Sequence, residues 1–145
     1  MTWQLEKHKG ILDGYPGVGA WIIEYNFRNG VLPNGTRYSG TGRSAYLPDN
    51  DEGRKVLALL VKAFERRHTF IVGTSVTTGR SDTVVWSGIH HKTNTHGGSS
   101  NFGYPDDSYL NRVTLELFDR GVTLENAAEE IAKVTKGGNG KLEVK

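Results

Sequence analysis

Leu47-Pro48-Asp49-Asn50-Asp51-Glu52-Gly53-Arg54-Lys55-Val56-Leu57-Ala58-Leu59-Leu60-Val61-Lys62-Ala63-Phe64-Glu65-Arg66-Arg67 reads as the end of a strand and then a helix. Asp49 or Asn50 can cap the free N–H groups of the first turn, and Asp51 and Glu52 suit its positive end. Val56, Leu59, Leu60, Ala63 and Phe64 recur at three- and four-residue spacing, so one face belongs to a core. Arg66 and Arg67 sit at the negative end. Upstream, residues 18–27 alternate as a strand, with Trp21, Ile23, Tyr25 and Phe27 on one face and Ala20, Ile22 and Glu24 on the other. Gly14-Tyr15-Pro16-Gly17 before it is turn chemistry. Asn34-Gly35 is a hairpin signal joining residues 30–33 to a strand from Thr36.

Downstream, residues 69–75 read as a buried strand and residues 82–89 as another. A second helix is expected from Asp106 or Asp107, capped by that carboxylate, to Arg120, with Gly121 as its stop. A third runs from Thr123 to Lys136, with Leu124, Ala127, Ile131 and Val134 on one stripe. The tail from Gly137 carries three glycines in four residues and is expected to fray. Strand runs and helix runs do not alternate regularly. That favours an α+β single domain with a mixed or antiparallel sheet and two to three packed helices.

The chain has 145 residues, 36% hydrophobic and 23% charged, with a net charge of +2. This is a globular balance, long enough to bury roughly two-thirds of its unfolded surface without a disulfide or metal staple. Cys is absent. That excludes a disulfide scaffold, a Cys-ligated zinc site, an iron–sulfur cluster, a Cys nucleophile and a RING finger within these residues. No apolar run approaches the ~20 residues of a membrane span, and the first residues lack a signal-peptide core. An intracellular home without membrane attachment is the expectation. The small net charge does not argue for nucleic-acid binding.

Four segments can carry chemistry. Gly73-Thr74-Ser75-Val76-Thr77-Thr78-Gly79-Arg80 offers close backbone approach, hydroxyl donors and a cation to a phosphate. It lacks the Gly-Lys-Ser/Thr ending of a Walker loop, and a polar hairpin loop is the plain alternative. In Ile89-His90-His91-Lys92-Thr93 the two histidines point to opposite faces of an extended chain, so they cannot jointly clamp a metal without a bend. With no cysteine and no nearby carboxylate, no metal is expected. One imidazole can hydrogen-bond a ribose or phosphate, or act as an acid or base; the alternative is one His in the core and one in solvent. Arg43, among small residues, calls for an anionic partner: either Asp49 or a ligand phosphate. In Gly103-Tyr104-Pro105-Asp106, Tyr104 can stack on a base or fill the core.

These segments, in this order, resemble the Deltex C-terminal domain. The resemblance rests on Leu12-Asp13-Gly14-Tyr15-Pro16-Gly17-Val18-Gly19, Tyr38-Ser39-Gly40-Thr41-Gly42-Arg43-Ser44-Ala45-Tyr46-Leu47-Pro48-Asp49-Asn50, Glu52-Gly53-Arg54-Lys55-Val56-Leu57 and Val72-Gly73-Thr74-Ser75-Val76-Thr77-Thr78-Gly79. It continues through Val85-Trp86, Ile89-His90-His91-Lys92-Thr93, Phe102-Gly103-Tyr104-Pro105-Asp106 and Tyr109-Leu110. Residues 1–122 are identified as this domain, residues 123–136 as an added helix and residues 137–145 as a flexible tail.

The resemblance implies a domain that normally follows a RING finger in a ubiquitin ligase. Its groove binds ADP-ribose and NAD, and it presents free ADP-ribose or an ADP-ribosylated target to a ubiquitin-charged conjugating enzyme. Many members act in Notch signalling or DNA-damage responses. The implied ligand contacts are His90, Ser75, Thr77 and Thr78, with Arg43, Trp86, His91 and Tyr104 supplying charge, stacking and polar groups. For catalysis the family pairs a Glu, here Glu116, with a His just before Gly-Tyr-Pro. That position is Phe102 here, which can neither take nor give a proton; His96 is the nearest replacement by sequence. Without a RING of its own, the chain is expected to be mainly a binding module, either a fragment or a stand-alone domain that relies on a RING-bearing partner. Its alternatives are the catalytic half of a ligase, and a structural interaction domain with an empty groove. Nucleic acid is expected as a partner only when ADP-ribosylated.

Overall fold

In the computed structural model, residues 1–73 and 81–143 are described. Alternation builds the central layer. Strand β2 (Ala20–Phe27) turns Trp21, Ile23 and Tyr25 into the core and leaves Glu24 and Asn26 in solvent. It pairs antiparallel with β1 (Thr2–Glu6) on one side and β5 (Thr41–Pro48) on the other, in a register that sets Trp21 opposite Leu47 and Tyr25 opposite Arg43. Between them in sequence, β3 (Gly30–Val31) and β4 (Arg37–Tyr38) form the hairpin expected at Asn34-Gly35.

Helix α1 (Asp51–Glu65) follows β5 at once. Asn50 is its cap, accepting a hydrogen bond from the Gly53 N–H at 2.7 Å. Gly53 is dictated by space: a Cβ there would lie 1.8 Å from the Pro48 carbonyl oxygen. Val56, Leu57, Leu59, Leu60, Ala63 and Phe64 are buried. The expected cap, period and extent of this helix are all present, apart from a last turn that closes one to two residues before Arg67.

Strands β6 (Phe70–Gly73) and β7 (Thr83–Trp86) form a second hairpin, Phe70 opposite Trp86. It is tied to the first through Ser39, whose N–H donates to the Asp82 carbonyl and whose carbonyl accepts from Val84. Contrary to the sequence reading, β6 is not buried: only one face meets the core, and Ile71 on the other is half-exposed. Strand β7 is also shorter than expected: the Ser87 N–H still donates to the Thr69 carbonyl, in register with the hairpin, but Gly88 takes a positive φ of 104° and ends the extended run.

Helix α2 (Tyr109–Asp119) begins later than expected, and neither Asp106 nor Asp107 caps it. The Asp106 carboxylate is engaged elsewhere, by Lys92 and Arg112. Helix α3 (Ala128–Thr135) begins later than expected, after a turn in which Thr123 and Asn126 exchange two hydrogen bonds. Leu124 is exposed instead of joining the buried stripe of Ala127 and Val134. α3 packs on α1, with Lys62 Nζ 3.2 Å from the buried Glu130 carboxylate. In the tail expected to fray, β8 (Gly140–Lys141) adds to the edge of β1, Gly140 lying against the Trp3 indole. The sheet order is β5-β2-β1-β8, antiparallel throughout. Among the described residues no helix is long and apolar enough to cross a membrane.

Candidate functional site

After β7 the chain runs extended past α2, and its side chains alternate. His90 points out; His91 points into the core. This is the split that an extended backbone imposes on adjacent residues. The His91 Nδ1–H donates to the Ile89 carbonyl at 2.8 Å, so its Nε2 accepts from the Tyr25 hydroxyl at 2.8 Å. Burial pushes His91 down to about 4, which keeps the ring neutral. It lies parallel to Trp86 at 4.3 Å, and Trp86 in turn lies parallel to Phe70 at 4.5 Å. His91 and Trp86 therefore form an aromatic wall, with Trp86 retaining some exposure.

His90 is held differently. Tyr109, Val113 and Glu116 fall on one face of α2 at helical spacing. The Tyr109 hydroxyl donates to the His90 carbonyl at 2.8 Å. One Glu116 oxygen accepts the His90 backbone N–H at 2.9 Å and the other meets its Nδ1 at 2.6 Å. The His90 side chain nevertheless remains 74% exposed, against 26% for Glu116. With Nδ1–H donated to the carboxylate, the Nε2 lone pair faces outward.

Lys92, two residues on from His90, departs from this alternation and is buried. Its ammonium donates to Asp106 at 2.7 Å and sits 5.1 Å from the centre of the Tyr109 ring. Arg112 reaches the same carboxylate through two N–H groups, at 2.8 and 2.9 Å. Arg112 first, and Lys92 after it, hold the Asp106 carboxyl well below the usual carboxylate range.

The other expected site residues are dispersed. Arg43 is exposed on β5 and donates to the neighbouring Gly42 carbonyl at 2.8 Å. The pairing with Asp49 does not form: Asp49 is taken by Arg54 at 2.9 Å and by the Trp21 N–H at 3.1 Å. Tyr104 is fully buried, its hydroxyl donating to the Tyr46 carbonyl at 2.7 Å, so its ring has no free face for a base. Ser75, Thr77 and Thr78 lie outside the described residues. Phe102 is 64% exposed, in a left-handed conformation, its carbonyl accepting from Thr93 and Asn94. His96 faces Asp13 at 3.6 Å and Thr95 at 2.5 Å rather than His90 or Glu116. Among the described residues no three His, Asp or Glu side chains converge to hold a metal.

Sequence reasoning missed Tyr109, Lys92, Asp106 and Arg112 as the frame of the site. The signal available was the seven-residue spacing of Tyr109 and Glu116, two turns along one helical face. The arrangement can fix an exposed imidazole in one tautomer, which suits a ligand bearing hydroxyl or phosphate groups.

Comparison with known proteins supplies the lineage. The family model for the Deltex C-terminal domain matches residues 1–122. The human protein described as probable E3 ubiquitin-protein ligase DTX3 is 52% identical over 118 residues, which cover 78% of this chain and 34% of that protein. Human E3 ubiquitin-protein ligase DTX1 is 47% identical over 130 residues, covering 85% of this chain and 21% of the relative. Mouse E3 ubiquitin-protein ligase DTX4 is 41% identical over 137 residues, 90% of this chain and 22% of the relative. The chain thus spans about a fifth to a third of the length of these relatives. With that match across most of its length, and with the His90 segment and α2 inside it, the chain belongs to the Deltex C-terminal domain family.

Proposed function

We propose that this domain binds ADP-ribose and NAD and presents ADP-ribose, or an ADP-ribosylated protein, for ubiquitylation by a RING and a ubiquitin-charged conjugating enzyme. These residues contain no cysteine for a RING, so the chain itself acts as the binding module. The observation that carries the reading is His90: fixed by three hydrogen bonds from α2, yet largely open to solvent. An imidazole immobilised this way gives a ligand a hydrogen-bonding partner whose ordering cost is already met by the fold. Half-buried Trp86, the exposed Arg43 and the Ser75, Thr77 and Thr78 segment supply stacking, charge and hydroxyls for a dinucleotide. An intracellular site of action, with Notch signalling as one setting, is part of the same proposal, and membership of a family of ubiquitin ligases is in keeping with it.

The catalytic half of a ligase is a second reading, favoured by the contact of Glu116 with His90 at 2.6 Å. Calorimetric titration with ADP-ribose, NAD and AMP tests the first. Saturable ADP-ribose binding, weakened about tenfold in His90→Ala through loss of one hydrogen bond, is the expected result. A folded protein that binds none of the three would leave the interaction-domain reading in its place.

A further inference from the structure

We propose that the cleft between α1, α3 and β8 binds an alkyl chain ending in a primary ammonium, and that Glu130 receives that ammonium. Helix α3 and strand β8 lie outside the residues that the family model matches, and His90 does not line the cleft. The site is therefore independent of the ADP-ribose reading. Its cavity of about 380 Å³ falls within the range of small-ligand sites, roughly 300–1,000 Å³. Helix α3 places Glu130 on the wall, with a side chain only 8% exposed. One carboxylate oxygen, Oε1, lies 3.2 Å from Lys62 Nζ. The other, Oε2, is buried and accepts no hydrogen bond from the described residues. A buried carboxylate oxygen without a donor is costly, so a donor brought to it relieves that cost. The terminal torsion of a glutamate is soft, and a rotation about it turns an oxygen toward the cavity.

The lining sets the charge of the ligand. Glu65, Glu129 and Glu130 line the cleft together with Lys62, Lys133 and Lys141. Lys141 is engaged by Glu143, 2.9 Å away and not part of the lining. Lys62 is shared between two carboxylates, 3.5 Å from Glu65 and 3.2 Å from Glu130. Two ammonium groups therefore answer three carboxylates, and the balance calls for one more cation. Exposed Glu129, next to Glu130 in sequence, draws that cation from solution.

The lining also sets the ligand's shape. With Oε1 taken by Lys62, Glu130 offers a single oxygen, which suits a compact ammonium and not the two-pronged fork of a guanidinium. Trp3, Val61, Val134 and Leu142 supply an apolar wall for the stem behind the charge. A free diamine and the lysine side chain of another protein both carry this group. They differ at the far end of the stem, where the diamine has a second cation and the lysine a neutral peptide.

The test is a nuclear magnetic resonance titration of the isotope-labelled chain with cadaverine and with Nα-acetyl-lysine methylamide, at constant pH and ionic strength. Saturable shifts at the Trp3 indole N–H and the Gly138 and Gly140 amides are expected with at least one of the two, and the one that binds identifies the source. Butylguanidinium and pentanol, which keep a stem but replace the ammonium, are expected to bind about tenfold more weakly or not at all. Glu130→Gln keeps the shape of the side chain and removes its charge. It is expected to weaken amine binding about tenfold or more. Glu129→Gln, at an exposed residue apart from the Lys62 pair, is expected to weaken it about two- to fivefold. Thermal unfolding establishes that each variant is folded. No saturable shift with either amine in the folded parent would overturn the proposal. So would unchanged affinity in folded Glu130→Gln, or pentanol or butylguanidinium binding as tightly as the amines. If Glu130→Gln does not fold, Glu129→Gln decides, and unchanged affinity there overturns the assignment.

Discussion

Asp106→Ala should unfold this domain far more readily than its place outside any helix or strand suggests. Asp106 and Lys92 are 7% and 5% exposed at their side chains, with Nζ 2.7 Å from Oδ2. Removing the carboxylate leaves a buried ammonium without its ion-pair partner, 5.1 Å from the centre of the Tyr109 ring. Leaving such a charge unpaired costs about 3–5 kcal/mol, a large part of the ~5–15 kcal/mol that holds a domain folded. The midpoint of thermal unfolding should fall by roughly 10 °C. Arg112 is half-exposed and can return to water, so Arg112→Ala should cost about 1 kcal/mol or less. Lys92→Met in the Asp106→Ala background should recover most of the loss, because an apolar side chain of similar length needs no partner. The assay is urea denaturation of the four proteins at pH 7. A loss below about 1 kcal/mol in Asp106→Ala, or no recovery with Lys92→Met, would refute the argument that an orphaned ammonium dominates. Acid offers a second view. The folded carboxyl is held below its unfolded value, so the unfolded chain binds the proton first. The contribution of Asp106 is therefore complete above the normal carboxylate range and is lost as pH falls through and below it.

His91 should produce an earlier acid limb. It titrates at about 4 in the fold against 6.5 in the unfolded chain, so the unfolded state gains the proton and stability declines by about 3 kcal/mol between those values. Denaturation at pH 7 and pH 5 should show the decline in the parent and lose it in His91→Phe; a parent insensitive over that interval would be evidence that His91 is not neutral in the core. Gly53→Ala should destabilise, although alanine is the better helix former by about 1 kcal/mol, because its Cβ would sit 1.8 Å from the Pro48 oxygen. A thermal midpoint raised by this substitution would show that the junction of β5 and α1 gives way easily.

What the sequence discloses and what it conceals divide along the range of the interaction. Helix α1 is legible because its cap, first-turn acids and apolar period all lie within 21 consecutive residues. The His90 and His91 split is legible because alternation is a property of the backbone alone. Strand β1 escapes, although Trp3 and Leu5 alternate with Thr2, Gln4 and Glu6, because five residues give too short a period to separate from a coil. Strand β8 cannot be read at all: Gly140 joins a sheet because it fits against Trp3, at the other end of the chain. Asp106 misleads for a related reason. Its position before a helix makes it an apparent cap, but a buried ammonium is a more demanding partner than an exposed N–H, and Lys92 takes it. The clamp of Glu116 on His90 spans 26 residues, and no local pattern encodes it.

These long-range contacts converge on three consecutive residues. His90 is held by Tyr109 and Glu116 of α2, His91 by Tyr25 of β2, and Lys92 by Asp106 just ahead of α2. The Lys92 carbonyl also accepts the Tyr46 N–H of β5, which fastens the segment to the central sheet. Each residue is fixed by a different partner, and the partners alternate from one side of the chain to the other. A slip of one residue would drive His90 into an apolar core and expose the stacked ring of His91, so the register is specified as strongly as in a buried strand. The imidazole that meets solvent is thus positioned by the core rather than by the surface around it. The consequence is that damage to Asp106 or Tyr25 should reach His90 without touching it: the segment would still bear the histidine, but its angle to Glu116 would no longer be set from both ends.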